Sequence, residues 1–156
     1  MNKVGFLDSL IDSLRREALH AVNASADAAD YATNNESRAE SKWDTQCIEA
    51  SYLAVGQASQ ARQWADAVEV LQSQRDTLLR RNIDISLGAL FKCDLAGCAA
   101  VFFFSGVAGG QVITVNGIEV TVITAHSPLA KCLRGLKIGE TFTLPNGQCG
   151  EILTIE

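Results

Sequence analysis

The chain has 156 residues, of which 47% are hydrophobic and 20% are charged, a composition typical of a globular protein and not of a disordered one. This length permits one ordinary domain or two small ones. The net charge of −5 argues against generic binding to the nucleic-acid backbone, which needs clustered Lys and Arg. A basic partner surface is compatible with it.

The sequence gives no clear sign of secretion, of a membrane span or of paired cysteines. Asp8 and Asp12 interrupt the apolar residues near the amino terminus, so we expect no signal peptide. The longest apolar runs, such as Cys98–Phe104, are too short to cross a bilayer. The five cysteines, at positions 47, 93, 98, 132 and 149, include no CxxC pair, which disfavours a disulfide framework or a zinc knuckle. We therefore expect reduced thiols, a cytoplasmic location, no membrane association and no cofactor of its own.

Composition divides the chain near residue 81. Two glycines and no proline precede this point, whereas ten glycines and both prolines follow it. Gly and Pro are the strongest local signals for turns. The sequence therefore predicts a helical domain over residues 1–81 and a strand-rich domain over residues 82–156.

The first half contains two stretches in which small and apolar residues recur every three or four positions, as in helices that pair. The first stretch comprises Val4, Leu7, Ile11, Leu14, Ala18, Ala21, Ser25, Ala28 and Ala32. The second comprises Cys47, Ala50, Ala54, Gln57, Ala61, Trp64, Val68, Leu71 and Leu78, with Arg75 interrupting it. Bulky residues begin the first and end the second, so folding back near residue 38 pairs like sizes. We predict an antiparallel helical hairpin (a coiled coil) with arms of about 45 Å and a polar tip near residues 33–44. A compact bundle would need further helices, which the sequence does not supply.

The second half predicts a small sheet with one short helix, an α+β domain. The strand candidates are residues 88–93, 99–104, 111–115, 118–124, 140–144 and 151–155. Asn116-Gly117 is a two-residue hairpin signal, and Ser127-Pro128 starts a helix that Gly135 ends. Strict alternation means that at least one residue of the 102–104 phenylalanine run points away from the core face, towards the hairpin base or a partner.

Residues 116–156 resemble the C-terminal domain of Gre transcript-cleavage factors. A strand leads into the helix Ser127-Pro128-Leu129-Ala130, then come Ile138-Gly139-Glu140 and the turn Pro145-Asn146-Gly147. The resemblance implies an FKBP-like fold for residues 82–156. That family also places a long antiparallel helical hairpin before this domain.

The resemblance implies a bacterial transcription elongation factor that is not itself an enzyme. Members of the family insert the hairpin into the secondary channel of RNA polymerase, and the FKBP-like domain docks at the channel rim. Tip carboxylates then help to hold Mg²⁺ in the polymerase active site, where it activates water for hydrolysis of backtracked RNA. The implied partners are core RNA polymerase and, indirectly, the RNA 3′ end. DNA binding and a monomeric state are further expectations, and Ser127, Pro128 and Leu129 are the expected docking residues.

The tip matches the family in part. The family pattern is Asp-x-x-Glu-Asn-x-Glu-[Tyr/Phe], and Glu40 falls on its first Glu. Ser37 stands where the family has Asp, and the nearest carboxylate, Glu36, is one residue early. Glu36 and Glu40 are therefore the predicted catalytic and Mg²⁺-holding residues. Asp44 is a weaker candidate.

A structural reading of the same residues stays open. Residues 37–40 and 41–44 both form a capping box, so Glu40 or Asp44 fits a role at a helix start, where negative charge is favourable. Trp43 fits contact with a partner equally well as packing over Tyr31.

Three other functions compete with RNA cleavage. A close variant binds the same channel and inhibits or regulates polymerase without cleaving. An FKBP-like prolyl isomerase would need an aromatic-lined pocket. A structural coiled-coil oligomer is disfavoured because the two seams satisfy each other within one chain.

Overall fold

A computed structural model describes residues 2–33 and 45–156, with side chains described for 2–30 and 48–156. The helices are α1 (Lys3–Thr33), α2 (Thr45–Ser73), α3 (Arg75–Leu78) and α4 (Pro128–Leu133). The strands are β1 (Leu90–Leu95), β2 (Cys98–Ser105), β3 (Val112–Val115), β4 (Ile118–Thr124), β5 (Thr141–Thr143) and β6 (Cys149–Ile155). All six predicted strands and the short helix are confirmed, as is the fold class, a helical hairpin followed by a sheet domain with one short helix.

Packing divides the chain into two compact units. One, the hairpin unit, is Asp12–Glu69; the other, the sheet unit, joins Met1–Ile11 to Val70–Glu156. The first turns of α1 therefore belong to the same unit as the sheet. The domain boundary near residue 81, which was predicted from composition, stays a prediction.

The hairpin unit is held by small residues. Ala21, Ala28 and Ala61 are each at most 8% exposed, and the hydroxyl of Ser25 donates a hydrogen bond to the carbonyl of Ala54 at 2.9 Å. The midpoint between residues 25 and 54 in the sequence falls between residues 39 and 40, in agreement with the predicted reversal near residue 38. The helices are antiparallel, and their small side chains permit a close approach of the backbones.

The sheet has the order β3-β4-β2-β1-β6-β5. Strands β2 and β4 are parallel, and the other four neighbouring pairs are antiparallel. The central strand β2 carries the phenylalanine run, so both of its faces bear large apolar side chains.

One face of the sheet forms the core of the domain. Its buried cluster includes residues from β1, β2, β4 and β6 together with Ala130 and Leu133 of α4. Phe91 pairs across the strands with Phe102, and their ring centroids are 5.7 Å apart. The short helix α4 therefore covers this face of the sheet with the apolar side chains of Ala130 and Leu133.

The opposite face is covered from the start of the chain. Phe103 is fully buried, and its ring lies 5.0 Å from that of Phe6 at 55°, a tilted geometry that aromatic pairs favour. The expectation that one phenylalanine points to the hairpin base is confirmed. The assignment of Val4 to the buried seam is wrong, since Val4 is 43% exposed; contact with the sheet turns the Phe6 side of α1 inward instead.

Two turns of the sheet share a geometry but differ in sequence. Asn116 and Gly117 have φ of 53° and 77°, the positive pair that a type I′ hairpin turn requires. Between β1 and β2 the same role falls to Ala96 and Gly97, with φ of 53° and 88°. The backbone N–H of Gly97 donates to the Asp94 carboxylate at 2.6 Å, which fixes a turn that alanine disfavours.

Phe103→Ala is expected to lower the free energy of unfolding by about 3–5 kcal/mol, because it removes a fully buried ring that the surroundings cannot replace. Val4→Ala, on the same helix as Phe6 but exposed, should change it by about 0.5 kcal/mol or less. Urea unfolding of both variants measures the difference. Equal losses would contradict the burial of Phe103 against α1.

Ala96→Asn is expected to raise the free energy of unfolding by roughly 0.5–1 kcal/mol, because Asn tolerates positive φ better than Ala. Asn116→Ala, the reverse exchange in the other turn, should lower it by a similar amount. Thermal unfolding of the two variants tests the pair. A destabilised Ala96→Asn variant would rule out a strained turn at this position.

Candidate functional site

The predicted tip residues lie outside the described part of the chain. This applies to Glu36, Glu40, Trp43 and Asp44, whose catalytic, metal-holding and contact roles stay predictions. Within residues 2–33 and 45–156, no group of three or more His, Cys, Asp or Glu side chains is arranged to hold a metal ion.

The predicted docking residues start α4. Ser127 occupies the N-cap position with extended backbone angles, but its hydroxyl makes no capping hydrogen bond. Pro128 is the first helical residue and is exposed, and Leu129 is half-buried against the core cluster. The predicted helix start is confirmed. A partner-binding role for the three residues stays a prediction, with Pro128 the most accessible of them.

The end of α4 is fixed to the segment that precedes the sheet. Gly135, at φ of 84°, donates its N–H to the carbonyl of Ile85 at 2.9 Å, and the Ile85 N–H donates to the Leu136 carbonyl at 2.9 Å. Ile85 itself is fully buried. This two-way backbone link holds α4, and the surface that Pro128 presents, in one position on the sheet.

A buried lysine at the start of α1 was not predicted from the sequence. Lys3 is 8% exposed, and its ammonium donates to the Arg80 carbonyl at 2.6 Å and to Asn82 Oδ1 at 3.0 Å. The Asn82 amide donates to Ser86 Oγ at 2.9 Å, which in turn donates to Asp84 at 2.8 Å. Burial lowers the pKa of Lys3, and the Glu156 carboxylate partly offsets this.

A cavity of about 440 Å³ adjoins this lysine. Arg81 and Glu156 also line it. The cavity walls therefore carry both positive and negative charge and favour no particular class of ligand. The Lys3 network is therefore a structural tie between α1 and residues 80–86. A lysine before an apolar helical stretch carries no sequence signal of such burial.

An ion pair explains the residue that interrupts the second predicted seam. The Arg75 guanidinium lies 2.7 Å from the Asp8 carboxylate. The hydrogen bond from Arg75 lowers the pKa of Asp8. An uninterrupted seam would have an apolar residue at position 75. Arg75 instead forms an ion pair with Asp8 of α1.

The described cysteines differ in accessibility. Cys93, Cys98, Cys132 and Cys149 are free thiols, and Cys93 is fully buried whereas Cys98 is exposed. Burial, reinforced by the Asp94 carboxylate, raises the pKa of Cys93 from 9.0 to about 11. Cys93 therefore behaves as an inert apolar core residue at neutral pH.

The raised pKa of Cys93 predicts a loss of stability at alkaline pH. The unfolded thiol ionises near 9.0 and the folded thiol near 11, so this contribution is complete below pH 9 and disappears as pH rises towards 11. The free energy of unfolding is expected to fall by about 2–3 kcal/mol over that window. Cys93→Ala should remove this fall.

Urea unfolding at intervals between pH 8 and pH 11 measures the effect. Cys98→Ala, at an exposed thiol, serves as the matched control and should retain the fall in stability. The assignment fails if both variants keep the same dependence on pH.

None of the helices within the described ranges is long and apolar enough to cross a membrane.

Comparison with known proteins gives structural matches alone. No protein-family model matches the chain, and no curated protein matches it. The crystal structure of GreA factor homolog 1 (Gfh1) of Thermus thermophilus aligns at 16% identity and a TM-score of 0.36, over 96% of this chain and 94% of that chain. Thermus aquaticus Gfh1 aligns at 19% identity and a TM-score of 0.36, over 97% and 94% of the two chains.

A further solved structure, of the transcription factor Gfh1, aligns at 19% identity and a TM-score of 0.39, over 97% of this chain and 93% of that chain. Similarity at this level bears on neither activity nor partners.

Proposed function

We propose that this chain is a Gre-type transcription elongation factor that binds core RNA polymerase through the secondary channel and promotes cleavage of backtracked RNA. One observation carries the proposal. A two-helix hairpin with a polar sequence at its reversal precedes, in the same chain, a sheet domain with the Ser127-Pro128-Leu129-Ala130 helix start.

The dimensions of the hairpin suit insertion into a channel. Helices of 31 and 29 residues are each about 45 Å long at 1.5 Å per residue. The alanine seam keeps the two helices of the hairpin unit close together. A long, narrow pair of helices is what delivering a side chain into a deep channel requires.

The sheet unit offers a fixed docking surface. Ala130 and Leu133 anchor α4 in the core, while Pro128 faces solvent. A docking residue that stands on an anchored element loses little conformational freedom on binding. We place contact with the channel rim on this part of the domain.

The proposed chemistry belongs to the polymerase. Glu36 and Glu40 supply carboxylate oxygens, the ligand type that Mg²⁺ prefers, and a metal held by the polymerase would activate water for hydrolysis of the RNA. The factor has no cofactor of its own in this proposal and is not an enzyme. It acts in the cytoplasm, with the polymerase and the backtracked RNA 3′ end as its partners.

The second candidate is a channel-binding factor that regulates or inhibits polymerase without cleavage. Ser37, at the position of the family aspartate, favours it, because a hydroxyl is a poorer Mg²⁺ ligand than a carboxylate. The docking residues are the same in both candidates. The two differ only in what the tip does after insertion.

A prolyl isomerase fits the sheet domain less well. Its five phenylalanines are each at most 8% exposed, namely Phe91, Phe102, Phe103, Phe104 and Phe142. Their rings fill the two buried faces of the sheet and leave no exposed aromatic surface to receive a proline.

The decisive measurement uses a stalled, backtracked elongation complex in Mg²⁺-containing buffer. Added protein is expected to release short 3′ RNA fragments, and the double variant Glu36→Ala/Glu40→Ala should reduce release roughly ten-fold or more while binding is retained. The double variant Asp27→Ala/Glu49→Ala removes two exposed carboxylates from the described helices and should leave release unchanged.

The outcomes separate the candidates. Binding to core polymerase without fragment release rejects cleavage and favours the regulatory factor. Absence of binding to core polymerase would contradict both candidate functions. Polymerase alone, incubated for the same time, gives the background rate of intrinsic cleavage.

A further inference from the structure

Basic side chains recur at every third position through α4 and the segment that follows it. Lys131, Arg134 and Lys137 are all exposed, and we name these three residues the basic ridge. Each of them directly follows a residue that belongs to the core cluster of the sheet unit or packs against it, namely Ala130, Leu133 and Leu136. Because the inner residues are anchored in the core, the three bases are held at the surface.

The backbone that carries the basic ridge is fixed by hydrogen bonds. The N–H of Gly135 donates to the carbonyl of Ile85 at 2.9 Å, and the N–H of Lys137 donates to the Glu140 carboxylate at 2.7 Å. A surface on such a segment loses little backbone freedom when a partner binds to it.

The basic ridge forms no ion pair within the part of the chain that the structure describes. Elsewhere in that part, Arg15 lies 3.2 Å from Asp12 and Arg75 lies 2.7 Å from Asp8. Residues 120–139 contain no Asp or Glu. The three positive charges therefore face solvent without a compensating carboxylate of their own segment.

Helix stability explains the basic ridge only in part. Positive charge is favourable at the carboxyl end of a helix, and Lys131 and Arg134 lie at that end of α4. The helix has only six residues, so few peptide dipoles are aligned. Lys137 lies beyond the helix, after Gly135 has turned the chain with φ of 84°. The helix dipole therefore does not account for the third base.

The distribution of charge in the chain favours a protein partner over nucleic acid. The hairpin unit contains ten acidic and five basic residues, and the sheet unit contains eight of each. The basic ridge is thus a local positive surface on a chain with a net charge of −5. Proteins that bind nucleic acid through its backbone commonly contact roughly six to ten phosphates, which is more than three bases can neutralise.

Exposed apolar residues flank the basic ridge at both ends. Pro128 lies three residues before Lys131 and is exposed, and Ile138, next to Lys137, is 59% exposed. Apolar contacts surrounded by polar and charged ones are characteristic of protein–protein interfaces. A phosphate backbone offers no apolar counterpart to these two side chains.

We propose that the basic ridge binds an acidic protein surface, and that this surface belongs to RNA polymerase at the rim of the secondary channel. The inference rests on the proposed function, which places Pro128 at the same rim. Charges at the edge of an interface act mainly on the rate of association, because they attract the partner over about 10 Å at moderate salt. The basic ridge therefore accelerates and orients docking of the sheet unit.

The rate constants for binding of the full-length chain to core RNA polymerase test the inference. Lys131→Glu/Arg134→Glu is expected to lower the association rate constant roughly ten-fold or more at about 50 mM salt, because attraction becomes repulsion. The difference should shrink to about two-fold at about 500 mM salt, where charges are screened over a few ångströms. The charge-conserving variant Lys131→Arg/Arg134→Lys should associate as fast as the unchanged chain.

Arg81→Glu/Lys92→Glu is the matched control, since it changes the net charge by the same amount. Both residues are exposed. Lys92 follows the core residue Phe91 in β1 and so points to the face of the sheet opposite to α4, and Arg81 lines the cavity beside Lys3. This variant should associate within about two-fold of the unchanged chain. Urea unfolding verifies that all variants are folded.

Equal slowing by the two charge-reversal variants would overturn the inference, because the effect would then belong to net charge alone. Association of Lys131→Glu/Arg134→Glu at the unchanged rate would also overturn it and leave the basic ridge a solvated surface. A third contrary result is binding of a labelled single-stranded RNA that this variant loses while its polymerase binding is kept. If the unchanged chain does not bind polymerase, the proposed function fails together with the inference, whereas the other outcomes contradict the inference alone.

Discussion

The sheet unit depends on the burial of both faces of its central strand. Because Phe102 and Phe104 point to one face of β2 and Phe103 to the other, neither face can be left to solvent. Helix α4 covers the first face and Phe6 reaches the second from the beginning of the chain. The unit is therefore complete only when residues nearly a hundred positions apart meet, which makes closure of a long loop part of its formation.

Polar contacts reinforce the same closure. The buried ammonium of Lys3 would be unfavourable without acceptors, and the Arg80 carbonyl and the Asn82 side chain supply them. The Asp8–Arg75 pair adds a second link between α1 and the end of the helical segment. These contacts fix the first turns of α1 within the sheet unit, since a shift by one residue would leave Lys3 buried without acceptors.

The sequence alone determined the elements and their order, because the signals are local. Alanine spacing defined the hairpin, Asn116-Gly117 and Ser127-Pro128 defined a turn and a helix start, and tip carboxylates were named from the resemblance to a family pattern. Tertiary structure decided what depends on distant neighbours: that Phe6 and not Val4 is buried, that Lys3 lies inside, and that Ala96 adopts positive φ. Packing also explains the glycine at position 88, where a Cβ would lie 2.8 Å from the Cα of Leu78. Local pattern sets which face of an element is apolar, but only packing sets which surface covers it.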